Sequence, residues 1–332
     1  MSIKDMFKLY ITVSRWEFLP AVLIGIFIGV FIGADSIQSL ISYEFTPILI
    51  EGVLIFILLF NVGFMVNCWA DWKVDELYKT KLYQSVIKMG RNKLGILVII
   101  HILVSIILAY HITIQLNRIE VSFLVWIGIF LGVGYSIEPF RFKRRGLLHS
   151  LIALPIFFIP GVYSYLLVNS LSITANYTII FIISAIGITI GHYALFLISQ
   201  AEDTPADKKM NLITPAVKWG LKKTLKISYM SNFVGSVIIT ISLMIMFLTI
   251  NYWLLILTPI IIIGRYFSMI EVYKLYKKSY ILSSEDDILS EIRKKMVVYP
   301  TWHAYGLSGV TISSLCILIV KTMGWNLPLL TI

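Results

Sequence analysis

Asn67, Asp71 and Asp75 stand four residues apart in Asn67-Cys-Trp-Ala-Asp71-Trp-Lys-Val-Asp75. On a helix that spacing puts all three on one face, about one turn apart. A second set, Gln200-Ala-Glu202-Asp203-Thr-Pro-Ala-Asp207, repeats the i, i+4 acid pair, with Gln200 one turn earlier. Each set closes a long apolar run, where an unpaired carboxylate is costly. Acids at a helix end can simply be solvated and paired with nearby Lys. Two matched ladders in a chain with only 18 acids favour a shared task instead, the holding of hard divalent cations. Mg²⁺ takes one or two carboxylates per ion and completes its shell with water and phosphate oxygens. A third feature is Gly134-Tyr135-Ser136-Ile-Glu138-Pro139-Phe-Arg141-Phe-Lys143-Arg144-Arg145, where a helix-breaking Pro is followed at once by four cations.

The elements that must position these residues are set by composition. Of 332 residues, 58% are hydrophobic and 14% charged, with a mean hydropathy of +0.86. Soluble domains run near 45–50% apolar and about 25% charged, so a soluble or disordered chain is excluded. Two Cys without a Cys-x-x-Cys partner exclude a disulfide scaffold. Nine apolar runs reach the ~20 residues needed to cross a bilayer. They cover 17–34, 46–70, 93–116, 119–136, 146–168, 176–200, 226–249, 251–270 and 301–321. None alternates polar with apolar as a barrel strand does. The fold class is therefore an all-α polytopic membrane protein, a single integral-membrane domain over 1–332. Residues 1–16, with Met6, Phe7, Tyr10, Ile11 and Trp16, read as a short interfacial segment, and the first run as a retained helix.

Charge gives the orientation. With the N-terminus inside, all but Arg118 and Lys321 of the 28 Lys and Arg fall on the inner side. That predicts a multi-pass protein of the cytoplasmic membrane, N-terminus cytosolic and C-terminus outside. The net charge of +10 is thus a topology signal rather than a sign of nucleic acid. The outer loops, among them 35–46, 117–120 and 169–176, are short and nearly free of chemistry. Inner segments at 71–92 and 201–225 carry both acid ladders. These ladders, each followed by a basic loop, hint at repeated helix groups. Gly25-x-x-x-Gly29-x-x-x-Gly33, the Gly128, Gly132 and Gly134 set, and Gly187-x-x-x-Gly191 read as close helix contacts, and Pro155 and Pro160 as kinks.

Asn67-x-x-x-Asp71-x-x-x-Asp75, Tyr135-Ser136-x-x-Pro139-x-Arg141-x-Lys143 and Asp203-x-x-x-Asp207 together resemble the UbiA superfamily of intramembrane prenyltransferases. Asp207-Lys-Lys…Thr214-Pro-Ala-Val217-x-x-Gly220 is similar to the family's continuation. The resemblance implies nine helices around a central cavity, capped on the cytosolic side by the 2–3 and 6–7 loops. It implies transfer of an isoprenyl chain from an isoprenyl diphosphate donor to an aromatic or lipid acceptor, with Mg²⁺, among membrane lipids. By matching position, Asn67, Asp71, Asp75, Asp203 and Asp207 would hold metal and diphosphate. The chain departs from the family at Cys68, where many members have Asp, at Gln200, where Asn is frequent, and at Asn211, where Gly is common. After Asp75, an Arg-Pro pair is replaced by Lys79-Thr-Lys81-Leu-Tyr83, and this is the loop that marks acceptor subfamilies.

On that reading Lys79, Lys81, Arg141, Lys143 and Lys208 are the candidates to clamp the diphosphate, with Gln200 and Asn67 beside it. An allylic cation needs π faces and shelter from water, for which Tyr135, Trp69, Trp72 and Tyr193 are candidates. Glu138 and His192 are candidate proton acceptors, with helix packing an equal alternative. His101, His111, His149 and His303 have no metal-ligand spacing. A terpene cyclase is the alternative within the fold, since it would keep the carboxylates and lose the acceptor loop. An ion or solute carrier is disfavoured, because carriers place buried charges near the midplane rather than at one face.

Overall fold

The computed structural model describes residues 2–169, 176–296 and 298–330. The chain begins with α1 (Ile3–Ser14), amphipathic and closed at its start by a Ser2/Asp5 capping box. Arg15, at φ 50°, ends it and turns the chain into the first span, a 3₁₀ turn at Trp16–Phe18 continued by α2 (Leu19–Gly33). A one-turn α3 (Ile37–Leu40) leads to α4 (Thr46–Tyr78), then α5 (Thr80–Met89), α6 (Arg91–Leu116) and α7 (Ile119–Ser136). The fifth span is irregular: 3₁₀ over Gly146–Ile152, a π turn at Leu154–Phe158, then α8 (Ile159–Val168). Pro155 and Pro160 withhold two backbone donors there, which accounts for the broken ladder. Then follow α9 (Asn176–Lys209), α10 (Pro215–Trp219), α11 (Leu221–Ile250), α12 (Thr258–Ile281), α13 (Glu285–Met296) and α14 (Tyr299–Thr322).

Among the described residues nine helices are long and apolar enough to cross a membrane, matching the nine runs. The outer loop expected at 169–176 lies largely outside the described residues. Ile96, Ile99, Leu103, Ile107 and Ile114 on α6 are exposed on one helical face, as a lipid-facing surface requires. α4 packs on α6 and α7, and α9 packs along α11, which packs on α12. Each acid ladder therefore opens a helical trio, in keeping with the repeat hinted at by the sequence. α2 and α8 lie between the trios. Gly29 and Gly33 permit that contact: a Cβ at Gly29 would come within 2.9 Å of Tyr165 N, and one at Gly33 within 2.7 Å of Tyr165 O.

Two elements outrun their apolar runs. α4 continues past residue 70 to Tyr78, and α9 past 200 to Lys209 with Pro205 inside it. Hydropathy reports only the lipid-length part of a helix, so it does not mark how far the polar ends that carry the acids continue as helix. The inner segments are also more helical than expected: α5 fills the first, and α10 and the start of α11 fill most of the second. α1 packs on α5 and α4, burying Val13 against Met65, Val66, Val86 and Met89. Where the loops after α7 and α9 meet, Gly146 N–H donates to Ile213 O at 2.9 Å. This ties the two cap segments together.

Candidate active site

Long helices place the acids. Because α4 runs unbroken through Asp75, its i, i+4, i+8 set stays on one face, and α9 does the same for Gln200, Asp203 and Asp207. The two ladders face each other across the end of the bundle that carries the basic loops: Lys79, at the end of α4, reaches Asp203 Oδ2 at 3.6 Å. Thr214, which caps α10, donates to Asp207 Oδ2 at 3.0 Å.

The loop after α7 completes this end. Lys143 Nζ donates to Asn67 Oδ1 at 3.0 Å and also contacts the Asp71 carboxylate. Arg141 Nη2 donates to Asp71 Oδ1 at 3.1 Å, and Ser136 Oγ to Asn67 Oδ1 at 3.2 Å. The Tyr135-Ser136…Arg141-x-Lys143 spacing thus serves to fold two cations back onto the first ladder. Lys143 is only 9% exposed. Burial, aided by the Arg144 charge, pulls its ammonium down to about 7, against the opposing pull of Asp207.

Asp75 is different. It is 6% exposed, and its side chain makes no hydrogen bond or ion pair among the described residues. Burial pushes its carboxyl up to about 6, while Lys79 and Arg15 pull it down and Asp203 pushes it up further. A buried carboxylate without a partner is costly. A divalent cation shared with Asp203 would relieve that cost, so the residues present fit Mg²⁺. Among the described residues no three His, Cys, Asp or Glu are grouped closely enough to hold an ion alone.

Beneath the ladders lies a cavity of about 190 Å³. Asn67, Lys79, Gln200, Asp203, Tyr135 and His149 line its polar end; Phe56, Phe60, Phe64, Ile152, Ile156 and Phe196 line its apolar depth. Tyr135 O–H and His149 Nε2 are 2.8 Å apart, and the Gln200 amide reaches the same imidazole. His149 and Gln200 are 4% and 6% exposed, so this trio is a buried wall joining the fifth span to α7 and α9. Gly132 also lines the cavity, and a Cβ built there meets nothing within 4 Å. The expectation that Gly132 is a close helix contact is therefore corrected: α7 faces open space at that position. A Cβ added at Gly134, by contrast, would meet the Phe142 ring at 3.0 Å.

Other candidates are placed elsewhere. Lys81 lines a groove with Lys8 and Lys88 between α1 and α5, and Lys208 pairs with Glu285 at 2.8 Å on the surface. Neither lines the cavity. Of the aromatic candidates only Tyr135 lines it. Trp69 carries the Arg91 guanidinium 4.3 Å above its ring, and Trp72 stacks on Tyr83 with centroids 6.3 Å apart. Phe60, Phe64 and Phe196 supply the π surface instead. Glu138 is paired with Arg141 at 3.4 Å. Two lining residues had no signal in the sequence: Arg15, one basic residue among many on its side, and His149, which lacks any ligand spacing.

A profile of the UbiA prenyltransferase family matches residues 22–280. The chain belongs to the UbiA prenyltransferase family. It is similar to the solved structure of a UbiA homolog from Archaeoglobus fulgidus bound to GPP and Mg²⁺, at 16% identity and a TM-score of 0.64, covering 91% of this chain and 99% of that one. The same homolog bound to DMAPP and Mg²⁺ matches at 16% identity and 0.61, with the same coverage. A structure bearing on the biosynthesis of digeranylgeranylglyceryl phosphate synthase in membranes matches at 15% identity and 0.63, covering 94% and 99%. None of the curated proteins matches the chain.

Proposed function

We propose that this protein transfers an isoprenyl chain from an isoprenyl diphosphate to an aromatic or lipid acceptor, with Mg²⁺, at the cytosolic side of the cytoplasmic membrane. The observation that carries the reading is one cavity with two characters. Its polar end lies between two facing carboxylate ladders, one of which keeps Asp75 buried with no hydrogen bond or ion pair among the described residues, and its depth is lined by Phe and Ile. A diphosphate head and an isoprenoid tail ask for that combination. Relatives of the same fold bound to GPP or DMAPP with Mg²⁺ support it.

Asn67, Asp71, Asp75, Asp203 and Asp207 are the residues that would hold the metal. When bound, Mg²⁺ supplies neutralisation of the charge that gathers on the leaving diphosphate. Lys79 and Arg15, both lining the cavity, are placed to hold diphosphate oxygens directly. Arg141 and Lys143 hold Asp71 and Asn67 in position and add positive potential to the same end. The allylic C–O bond breaks with its electron pair leaving on the diphosphate. The resulting cation lies below Tyr135 and among Phe60, Phe64 and Phe196, whose rings stabilise it and exclude water. An electron-rich acceptor atom bonds to that carbon, and its proton passes to the departed diphosphate.

The test is incubation of purified protein with geranyl, farnesyl and geranylgeranyl diphosphates, Mg²⁺ and a panel of aromatic and lipid acceptors, with products weighed by mass spectrometry. A product of acceptor plus prenyl mass is expected. A cyclised hydrocarbon lacking acceptor mass would replace this reading with the terpene cyclase, and no turnover of any donor would end it.

A further inference from the structure

A groove of about 510 Å³ runs between α1 and α5, at the end of the bundle that carries the basic loops. It shares no lining residue with the cavity beneath the acid ladders. Lys8 and Thr12 line it from α1, and Lys81, Gln84 and Lys88 from α5. The three lysines are exposed, and their ammonium groups make no ion pair or hydrogen bond among the described residues. Other cations at this end meet acids: Lys208 pairs with Glu285, Lys278 with Glu291 and Lys274 with Glu271. Among the groove's described lining residues the only acid is Asp5, whose Oδ2 accepts from Ser2 N at 3.3 Å and from Ser2 Oγ at 2.7 Å. Three like charges held along one groove repel one another, and an anion between them relieves the repulsion.

The packing of α1 sets the depth of the groove. Tyr10 O–H lies 2.8 Å from His101 Nε2, ten residues after Arg91 at the start of α6, or about 15 Å along that helix. So α1 lies against the flank of the spans rather than above them. Ile3 and Phe7, one turn apart, are 91% and 54% exposed, on the side of α1 away from the groove residues. Apolar side chains so exposed at the wall of a membrane-spanning bundle are covered by lipid. The other flank of the same helix then sits at the level of the headgroups, where a long Lys side chain can reach a phosphate.

We propose that this groove binds the phosphate of an anionic phospholipid, held by Lys8, Lys81 and Lys88 with the Gln84 amide beside them, its acyl chains in the lipid that covers Ile3 and Phe7. Each Lys near a membrane surface is worth about fivefold in affinity for such a lipid. A zwitterionic headgroup would set its own positive charge among three others. Because the groove and the donor cavity have no residue in common, the lipid binds whatever reaction the acid ladders carry out.

The experiment titrates the full chain, stripped of lipid in a nonionic detergent, with dioctanoyl phosphatidylglycerol, dioctanoyl phosphatidylcholine and inorganic phosphate, and reads binding by calorimetry. The wild type should bind phosphatidylglycerol at least about tenfold more tightly than either of the others. The triple variant Lys8→Gln, Lys81→Gln, Lys88→Gln should lose at least about tenfold in that affinity. Neutralising three other exposed lysines at this end, Lys223→Gln, Lys226→Gln and Lys277→Gln, should leave it within about threefold. Asp5→Asn keeps an oxygen for Ser2 and removes the opposing charge, so it should tighten binding by about two- to fivefold, a gain that misfolding does not produce. Equal affinity for phosphatidylglycerol and phosphatidylcholine would overturn the proposal, as would equal losses in the two triple variants. Inorganic phosphate binding as tightly as the lipid would overturn it too, since the groove would then be a site for a soluble anion.

Discussion

Lys79 Nζ lies 3.6 Å from Asp203 Oδ2, so the last residue before α5 joins the acid ladder of α4 to that of α9. On the proposed reading, Lys79 pairs with Asp203 while the donor is absent and turns to the diphosphate oxygens when it arrives. Lys79→Ala should raise KM for the donor by about 10- to 100-fold, the worth of a charge-assisted hydrogen bond. Lys81→Ala, whose side chain lines the α1–α5 groove, should stay within about twofold of wild type. Steady-state kinetics on both variants checks this.

Asp75 should destabilise the metal-free protein. Its carboxyl is raised from 3.8 to about 6. The folded state therefore binds more protons than the unfolded one between those values, and stability falls as pH rises through that window. At neutral pH the cost is about 2–3 kcal/mol. In EDTA, Asp75→Asn should therefore melt at a higher temperature than wild type at pH 7.5. The two should converge near pH 4, and prenyl transfer should be lost in the variant. Thermal melts across pH read the sign directly.

Open space at Gly132 makes chain length adjustable. A Cβ there meets nothing within 4 Å, and the residue sits on the cavity wall. Gly132→Leu should fill the depth without straining α7, and helix propensity should make the change stability-neutral or better. The longest donor accepted should shorten by one isoprene unit or more, as read from product masses.

The charge pattern predicts which end is cytosolic. Glu44 and Lys88 are both exposed, on opposite ends of the bundle. In intact cells a membrane-impermeant maleimide should label Glu44→Cys and leave Lys88→Cys unlabelled until the cells are opened. The reverse pattern would invert the topology.

Nine spans and both ladders were legible because each leaves a local mark: twenty apolar residues for a crossing, and four-residue spacing for a helix face. The end points were not, because the polar turns of α4 and α9 carry no hydropathy signal. Among the cations, Lys79, Lys81 and Lys208 look alike in the chain. What separates them is whether the helix end turns each one toward Asp203, the α1 groove or Glu285, which is a matter of tertiary packing. Gln200 was noted beside its ladder, but its partner His149 was not. That contact joins residues 51 apart in sequence, and neither type of residue implies the other. Gly132 was misread for the same reason, since a small residue looks identical whether it faces a helix or a cavity.

The central claim is that the two ladders act together on one diphosphate. Diphosphate release from geranylgeranyl diphosphate, measured with Mg²⁺ and an acceptor for wild type, Asp71→Ala, Asp203→Ala and the double variant, tests it most directly. Each single variant is expected to lose at least about a thousandfold in rate, with the double little worse than either, as for groups that act as a unit. Wild-type rates in both single variants would contradict the account.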